Sequence, residues 1–255
     1  MNKNNGTLIE VCCSSVEDAI LAEKAGAHRV ELNSSIALGG ITPSIGTIKN
    51  TIKSIHIPVM VMIRPREGGF CYSDYELESM EEDMYRALEA GAQGIVFGAL
   101  NADGTINIKA CKKFMNIIGN KESVFHRAFD VVKDPYCAIE QLIELNVNRI
   151  LTKGQKNTVE EGAGLLKKLM DDNGDNIEIL TGGVRPHNVE WMIKEMKFNQ
   201  LHLAGFKKEI DLSLSHHPDV YFGSPLNPEE NSYDKANYNY LKDMCEKIKG
   251  FSIQL

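Results

Sequence analysis

The chain has 255 residues, above the ~100–200 of a common domain and close to the roughly 250 of a single α/β barrel. Its 43% hydrophobic and 25% charged residues are those of an ordinary globular protein, and a net charge of −7 opposes non-specific binding to nucleic acid or an anionic membrane. No apolar run approaches the ~18 residues that cross a bilayer, and the leader "MNKNNGT" lacks the apolar core expected of a signal peptide.

In chain order, "LIEVC" (8–12) is expected to form the first strand. Alternation puts Ile9 and Val11 on one face and Glu10 and Cys12 on the other. Ser14 with Glu17 reads as a capping box opening a helix. Gly26 reads as its left-handed C-cap before a second strand, "RVEL" (29–32). There Glu31 and Asn33 oppose Val30 and Leu32. Thr42-Pro43 reads as an N-cap before a first-turn proline. A third strand, "VMVMI" (59–63), runs into Arg64 and Arg66 of "IRPREGG", whose glycines imply a mobile loop. Ser73 with Glu76 reads as a second capping box, Gly91 as the next C-cap, and "GIVF" (94–97) as the fourth strand. "SVFH" (123–126) follows, with His126 facing away from Phe125, and with Arg127 and Asp130 just beyond. Asp134-Pro135 opens another helix, Asn146 ends it, and "RIL" (149–151) leads to Lys153 and Gln155. "EILT" (178–181) gives way to Gly182-Gly183 and a helix starting near Pro186. In "QLHL" (200–203), His202 stands between Leu201 and Leu203. Residues 206–231 break the rhythm as an irregular excursion, and a last helix is expected near 232–249.

Eight strands alternating with helices, and no second domain's worth of sequence, predict one (β/α)8 TIM barrel spanning 1–255. The rival is an open doubly wound sheet. It would show fewer strands and often a Gly-rich first turn, where this chain has "CCSSVED". The six cysteines are scattered with no CxxC pair, so reduced thiols and a cytoplasmic location are expected. Cys12 and Cys13 would point to opposite faces of the strand, too strained for a mutual bond.

An unpaired carboxylate is costly in a dry core. The alternation resolves the difficulty by sending apolar residues toward the helices and Glu10, Cys12, Glu31, His126 and His202 into the barrel. With Arg64, Arg66, Arg127, Asp130 and Lys153 at the strand ends, these make a charged mouth where such barrels keep their active sites. Glu10 and Glu31 would be acid–base groups with His126 or His202 as partner acid. Arg64 and Arg66 would clamp a small anionic, phosphorylated or sugar-like ligand. Gly182 and Gly183 would offer backbone N–H groups to a phosphate, or simply make a tight turn. A Schiff base on Lys153 is a minor alternative, and a divalent metal on Glu10, Glu31 and His126 another. The competing view is a salt-bridge layer that satisfies itself. If the groups serve a ligand instead, Glu10, Glu31, Arg64 and His126 should be imperfectly satisfied by one another, and Glu10→Gln or Arg64→Met should hardly affect folding.

The segments "EVCCSSVEDAILAEKAGAHRVEL", "GGITPS", "IPVMVMIRPREGGFCYSDYE", "FHRAFD" and "RILTKGQ" add a further clue. In them the chain resembles the CutC family, known as copper homeostasis proteins. The resemblance implies a cytoplasmic TIM barrel, a homo-oligomer, and a link to copper tolerance and Cu(I) binding. Cys12 would be a ligand, with Met60 or Met62 near it. Family members commonly carry a cysteine after "VEL", where this chain has Asn33, and an amide does not suit Cu(I). Cys13 should face the helices. "RPRGGD" reads "RPREGG" here, "TSGQ" reads "TKGQ", and the C-terminal tail differs. Copper binding is therefore expected to be weak, while the charged mouth is kept.

Overall fold

The computed structural model describes residues 6–214 and 232–252. The strands β1 (Leu8–Cys13), β2 (Arg29–Leu32), β3 (Val59–Met62), β4 (Gly94–Phe97), β5 (Glu122–Phe125), β6 (Arg149–Thr152), β7 (Glu178–Thr181) and β8 (Gln200–Leu203) are neighbours in that order. All pair in parallel, and β8 pairs with β1 to close the barrel. The helices are α1 (Val16–Ala25), α2 (Ile45–Ser54), α3 (Asp74–Glu89), α4 (Ile108–Ile118), α5 (Pro135–Glu144), α6 (Val159–Asn173), α7 (Val189–Lys194) and α8 (Tyr238–Ser252). Each follows its strand, as the expected (β/α)8 barrel requires.

Two apolar clusters divide the interior. Ile9, Val11, Val30, Leu32, Val61, Ile95, Phe97, Phe125, Ile150, Leu201 and Leu203 belong to the main core between strands and helices. Met60, Met62, Val96, Val124, Leu151 and Leu180 make a separate cluster inside the barrel. All six lie on β3 to β7, and burying each is worth ~1.5–3 kcal/mol. The inward residues of β1, β2 and β8 are instead polar: Glu10 pairs in register with Arg29 and His202, and Cys12 with Glu31. The lumen thus has an apolar wall and a polar wall. A Cβ at Gly94 would collide with Met60, so only glycine lets that methionine cross the lumen floor.

Several caps follow the sequence. Ser73 and Glu76 form both arms of a capping box, and Asp134 accepts from the N–H groups of Tyr136 and Cys137. Gly26, Gly91 and Asn146 are left-handed at φ 97°, 104° and 59°. Others differ. Ser15, rather than Ser14, caps α1, because Ser14 donates its N–H and hydroxyl to Asp18. Ser44, rather than Thr42, caps α2, because Thr42 is tied to the backbone of Arg64.

The expected excursion after β8 is more regular than its composition suggests. β9 (Phe206–Ile210) and β10 (Ser232–Ala236) form an antiparallel ribbon. The last helix accordingly starts at Tyr238, six residues later than the 232 expected. Asp18, fully buried on α1, accepts from the N–H of Ala236 at 2.7 Å and so pins the ribbon to the body. The remainder of the excursion, 215–231, lies outside the described residues.

Candidate active site

The lower half of the lumen is closed by ions. Arg29 Nε donates to Glu10 Oε2 at 2.5 Å, and Arg29 Nη2 donates to Gln200 Oε1 at 2.8 Å. Arg149 donates from Nε to the same Gln200 oxygen at 2.9 Å, and its Nη2 lies 3.0 Å from Glu122 and 2.6 Å from Glu178. This is a structural plug of the kind weighed against a ligand site. Its arginines went unnoticed in the sequence, although parity would have found them. Arg29 is two residues before Glu31, Arg149 two before Leu151, and Gln200 two before His202, so all must face inward.

Above the plug, Glu10 turns its other oxygen to His202, with Nδ1–Oε1 at 2.8 Å. His202 Nε2 then lies 3.8 Å from Glu31 Oε2. Burial alone would raise the Glu10 pKa, but Arg29 and His202 outweigh it and hold the carboxyl far below its usual range. Burial disfavours an imidazolium at His202, yet Glu31, Cys12 and Glu10 together raise its pKa well above 6.5. Glu31 titrates above its usual value, chiefly because burial opposes its charge. Asn33 Nδ2 donates to Glu31 Oε2 at 2.7 Å and lies 3.5 Å from Cys12 Sγ. Of Glu31's two oxygens, Oε1 is buried without a partner among the described residues.

A cavity of about 380 Å³ opens over this polar wall, lined among others by Cys12, Glu31, His202, Arg64, His126 and Phe70. Arg64 stands two residues past the end of β3. Its Nη1 donates to the carbonyls of Leu38 and Gly40, and its Nη2 to that of Gly68. Those carbonyls fasten two βα loops without cancelling its charge, and Phe70 covers the guanidinium at 5.3 Å. His126 lies just past β5, not within it, and caps the short 3₁₀ turn Arg127–Val131. Its Nδ1 accepts from the N–H of Ala128 at 3.0 Å, so a neutral ring carries its proton on Nε2. Burial and the charge of Arg64 push its pKa down to about 3. That makes His126 a hydrogen-bond donor, not an acid, and among the described residues Nε2 has no partner. Gly98 makes room for the ring, because a Cβ there would overlap it.

Not every expected residue reaches the cavity. Arg66 donates to Glu76 at 2.5 Å and to the carbonyls of Glu67, Gly69 and Cys71, stapling its own loop to α3. Asp130 lines the cavity, but accepts from Arg127, Thr152 and the N–H groups of Lys153 and Gln155. It works as a clamp between the loops after β5 and β6. Arg127 is half-exposed at the rim. Lys153, Gly182 and Gly183 sit side by side next to His202, outside the cavity's lining. Burial and the nearby Arg127 and Arg185 lower the Lys153 pKa. Of the four expected acid–base residues, Glu31, His126 and His202 share the cavity, while Glu10 stands beneath it, fully satisfied. Phe70 went unnoticed because it is a lone aromatic on a loop, where no periodicity marks it.

The ligand atoms of Cys12, Glu31 and His202 lie within 4.8 Å of one another, so these three offer a sulfur, an oxygen and a nitrogen to a metal ion. The expected Glu10–Glu31–His126 set does not assemble, since His126 belongs to the opposite side and Glu10 is committed to Arg29. The Cys12–His202–Glu31 set fits a Cu(I) centre poorly. Its one thiol is pushed up to about 12 by burial, and an amide occupies the place of a second. Met62 lines the same cavity, whereas Met60 is packed against β4.

A model of the CutC family matches residues 7–207. A CutC family protein of Treponema denticola is 46% identical over 242 residues, 94% of this chain and 97% of that protein. The human protein named copper homeostasis protein cutC homolog is 39% identical over 229 residues, 89% and 84% of the two chains. The crystal structure of CutC from Streptococcus agalactiae superposes with a TM-score of 0.73 at 37% identity, covering 77% of this chain and 97% of that one.

Proposed function

The chain belongs to the CutC family, and from that premise we propose that it serves in copper homeostasis, as its human relative is named. We place its working part in the barrel mouth, as a site that binds and transforms a small anionic molecule by acid–base chemistry. The observation behind this reading is a set of three buried polar atoms that have no partner among the described residues, His126 Nε2, Glu31 Oε1 and Arg64 Nε, all on residues that line one cavity. Native interiors pair nearly all such atoms, and leaving one unpaired costs ~1–3 kcal/mol. A ligand that pairs them recovers that cost.

In this reading Arg64 attracts the anion and His126 donates to one of its oxygens. Glu31 moves a proton, and the His202 imidazolium steadies Glu31 from below. Glu10 fixes the His202 ring by holding Nδ1, a positioning role.

Paired-thiolate copper binding is not part of the proposal, because the residues do not fit it. Cu(I) titration against a competing chelator should show weak binding, little changed by Cys12→Ala and tightened by Asn33→Cys, whose new thiol would face Cys12. Tight stoichiometric binding abolished by Cys12→Ala would overturn that half of the reading. The other half is tested by thermal shift with inorganic phosphate and a panel of small carboxylates. A bound anion at 100 times its Kd should stabilise the protein by ~2.7 kcal/mol, and Arg64→Met should remove the effect. If no anion stabilises the protein, the mouth is not an anion site.

A further inference from the structure

Three features of the cavity restrict what can fill it, given the anion-site reading above, on which this inference rests. His126 is 3% exposed and presents one uncharged N–H, at Nε2, with Nδ1 already spent on Ala128. It calls for an oxygen acceptor. Arg64 presents positive charge and spends both Nη1 hydrogens on the carbonyls of Leu38 and Gly40 and one Nη2 hydrogen on that of Gly68. Its second Nη2 hydrogen and the buried Nε–H are left without a partner among the described residues. Those two donors match the two oxygens of a carboxylate. Glu31, also 3% exposed, presents one acceptor, Oε1, that is unpaired among the described residues. It calls for a hydroxyl or an acidic C–H.

Ile36, Met62, Phe70, Val131 and Leu151 make an apolar stretch of the lining, and the other polar members Asn33, Arg127, Asp130 and His202 already bond to Glu31, Asp130, Thr152 and Glu10. A polyol chain would lose its water there without gaining partners. The volume, about 380 Å³, is at the low end of the roughly 300–1,000 Å³ of ligand pockets. The guest is short.

We infer that the mouth takes a short hydroxy-oxo-carboxylate and removes a proton from the carbon that bears its hydroxyl. The carboxylate lies toward Arg64, the ketone oxygen accepts from His126 Nε2–H, and the hydroxymethyl group faces Glu31 Oε1. Glu31 takes the proton as the C–H bond breaks. That electron pair forms the new C=C bond, and the carbonyl π pair moves onto the oxygen held by His126. A neutral imidazole donor at a developing enolate oxygen is a known device for this step. Return of the proton from Glu31 restores the ketone, so no oxidant, reductant or second substrate is needed.

The probe is hydroxypyruvate in D2O, with loss of its C3 proton signal followed by NMR. Wild type should exchange these protons faster than buffer. Glu31→Gln should slow the exchange on the order of 10²-fold or more, the usual scale for a general base, while remaining folded by urea titration. His126→Gln should slow it and also weaken hydroxypyruvate's thermal stabilisation, because His126 pairs the bound ketone oxygen. Pyruvate, which lacks the hydroxyl, should bind more weakly. If hydroxypyruvate stabilises the protein but exchanges no faster than in buffer, the proton-abstraction inference is wrong and the anion site stands. If phosphate stabilises and hydroxypyruvate does not, the substrate class is wrong and the anion site again stands. If neither stabilises, both fall together.

Discussion

Glu10 and Glu31 face the same lumen from neighbouring strands, yet their situations are opposite. Both oxygens of Glu10 are spent, on Arg29 and His202, whereas Glu31 keeps one free of any described residue. The expectation that Glu10→Gln would leave folding intact therefore does not survive the structure. Removing its charge leaves Arg29, 3% exposed, without its carboxylate. A broken buried pair costs ~3–5 kcal/mol, and that loss is expected in urea unfolding of Glu10→Gln at neutral pH. Adding Arg29→Met should recover much of it. Glu31→Gln should be neutral or stabilising by ~0.5–2 kcal/mol, the scale of a site group relieved of its function. Equal losses in the two single variants would refute the distinction between a foundation carboxylate and a site carboxylate. Strand parity alone put both glutamates in the lumen, but nothing in "LIEVC" or "RVEL" says which one meets an arginine. That depends on the stagger between β1 and β2, which sequence periodicity does not encode.

Among the elements, strands were read best and loops least well. Each strand is buried on both faces or alternates strictly, and several of the preceding helices end at a glycine or asparagine such as Gly26, Gly91 and Asn146, so eight segments were recoverable to within a residue at either end. Loops take their shape from partners far along the chain. Arg64 fastens two loops through backbone carbonyls, and Asp130 clamps two more, and neither arrangement leaves a local pattern. The ribbon β9–β10 is the same case. "FKKEI" and "SYDKA" are polar and short, but a long-range anchor at Asp18 holds them in register. Asp18→Ala removes the acceptor of the Ala236 N–H and of two Ser14 donors, at a cost of ~1–3 kcal/mol for each group left unpaired. Amide exchange in β9 and β10 should accelerate more than in β1 to β8. Uniform acceleration over the whole barrel would mean that Asp18 supports the global fold instead.

For the whole molecule, the polar wall links stability to pH. The His202 pKa is raised in the folded state, so its contribution is complete below the ordinary 6.5 and is lost as pH climbs toward the folded value. The Glu10 pKa is lowered, so its contribution is complete above 4.5 and fades only as the solution becomes strongly acidic. Urea midpoints should therefore decline as pH rises from 6.5 into the alkaline range, and His202→Gln should flatten that decline. A wild-type profile unchanged across this window would show that His202 is not an imidazolium between two carboxylates. One consequence of the Glu10 carboxylate concerns descent more than chemistry. It is shared between the ionic plug below and the imidazole above, so a lineage exploring new reactions at this mouth is not free to begin with residue 10. It can vary Glu31, Asn33 or the loop around Phe70 first, each of which lines the cavity and takes no part in the plug. Substitution at Glu10 becomes acceptable only after Arg29 has been replaced, and that order of events should be visible among sequences diverging from this barrel.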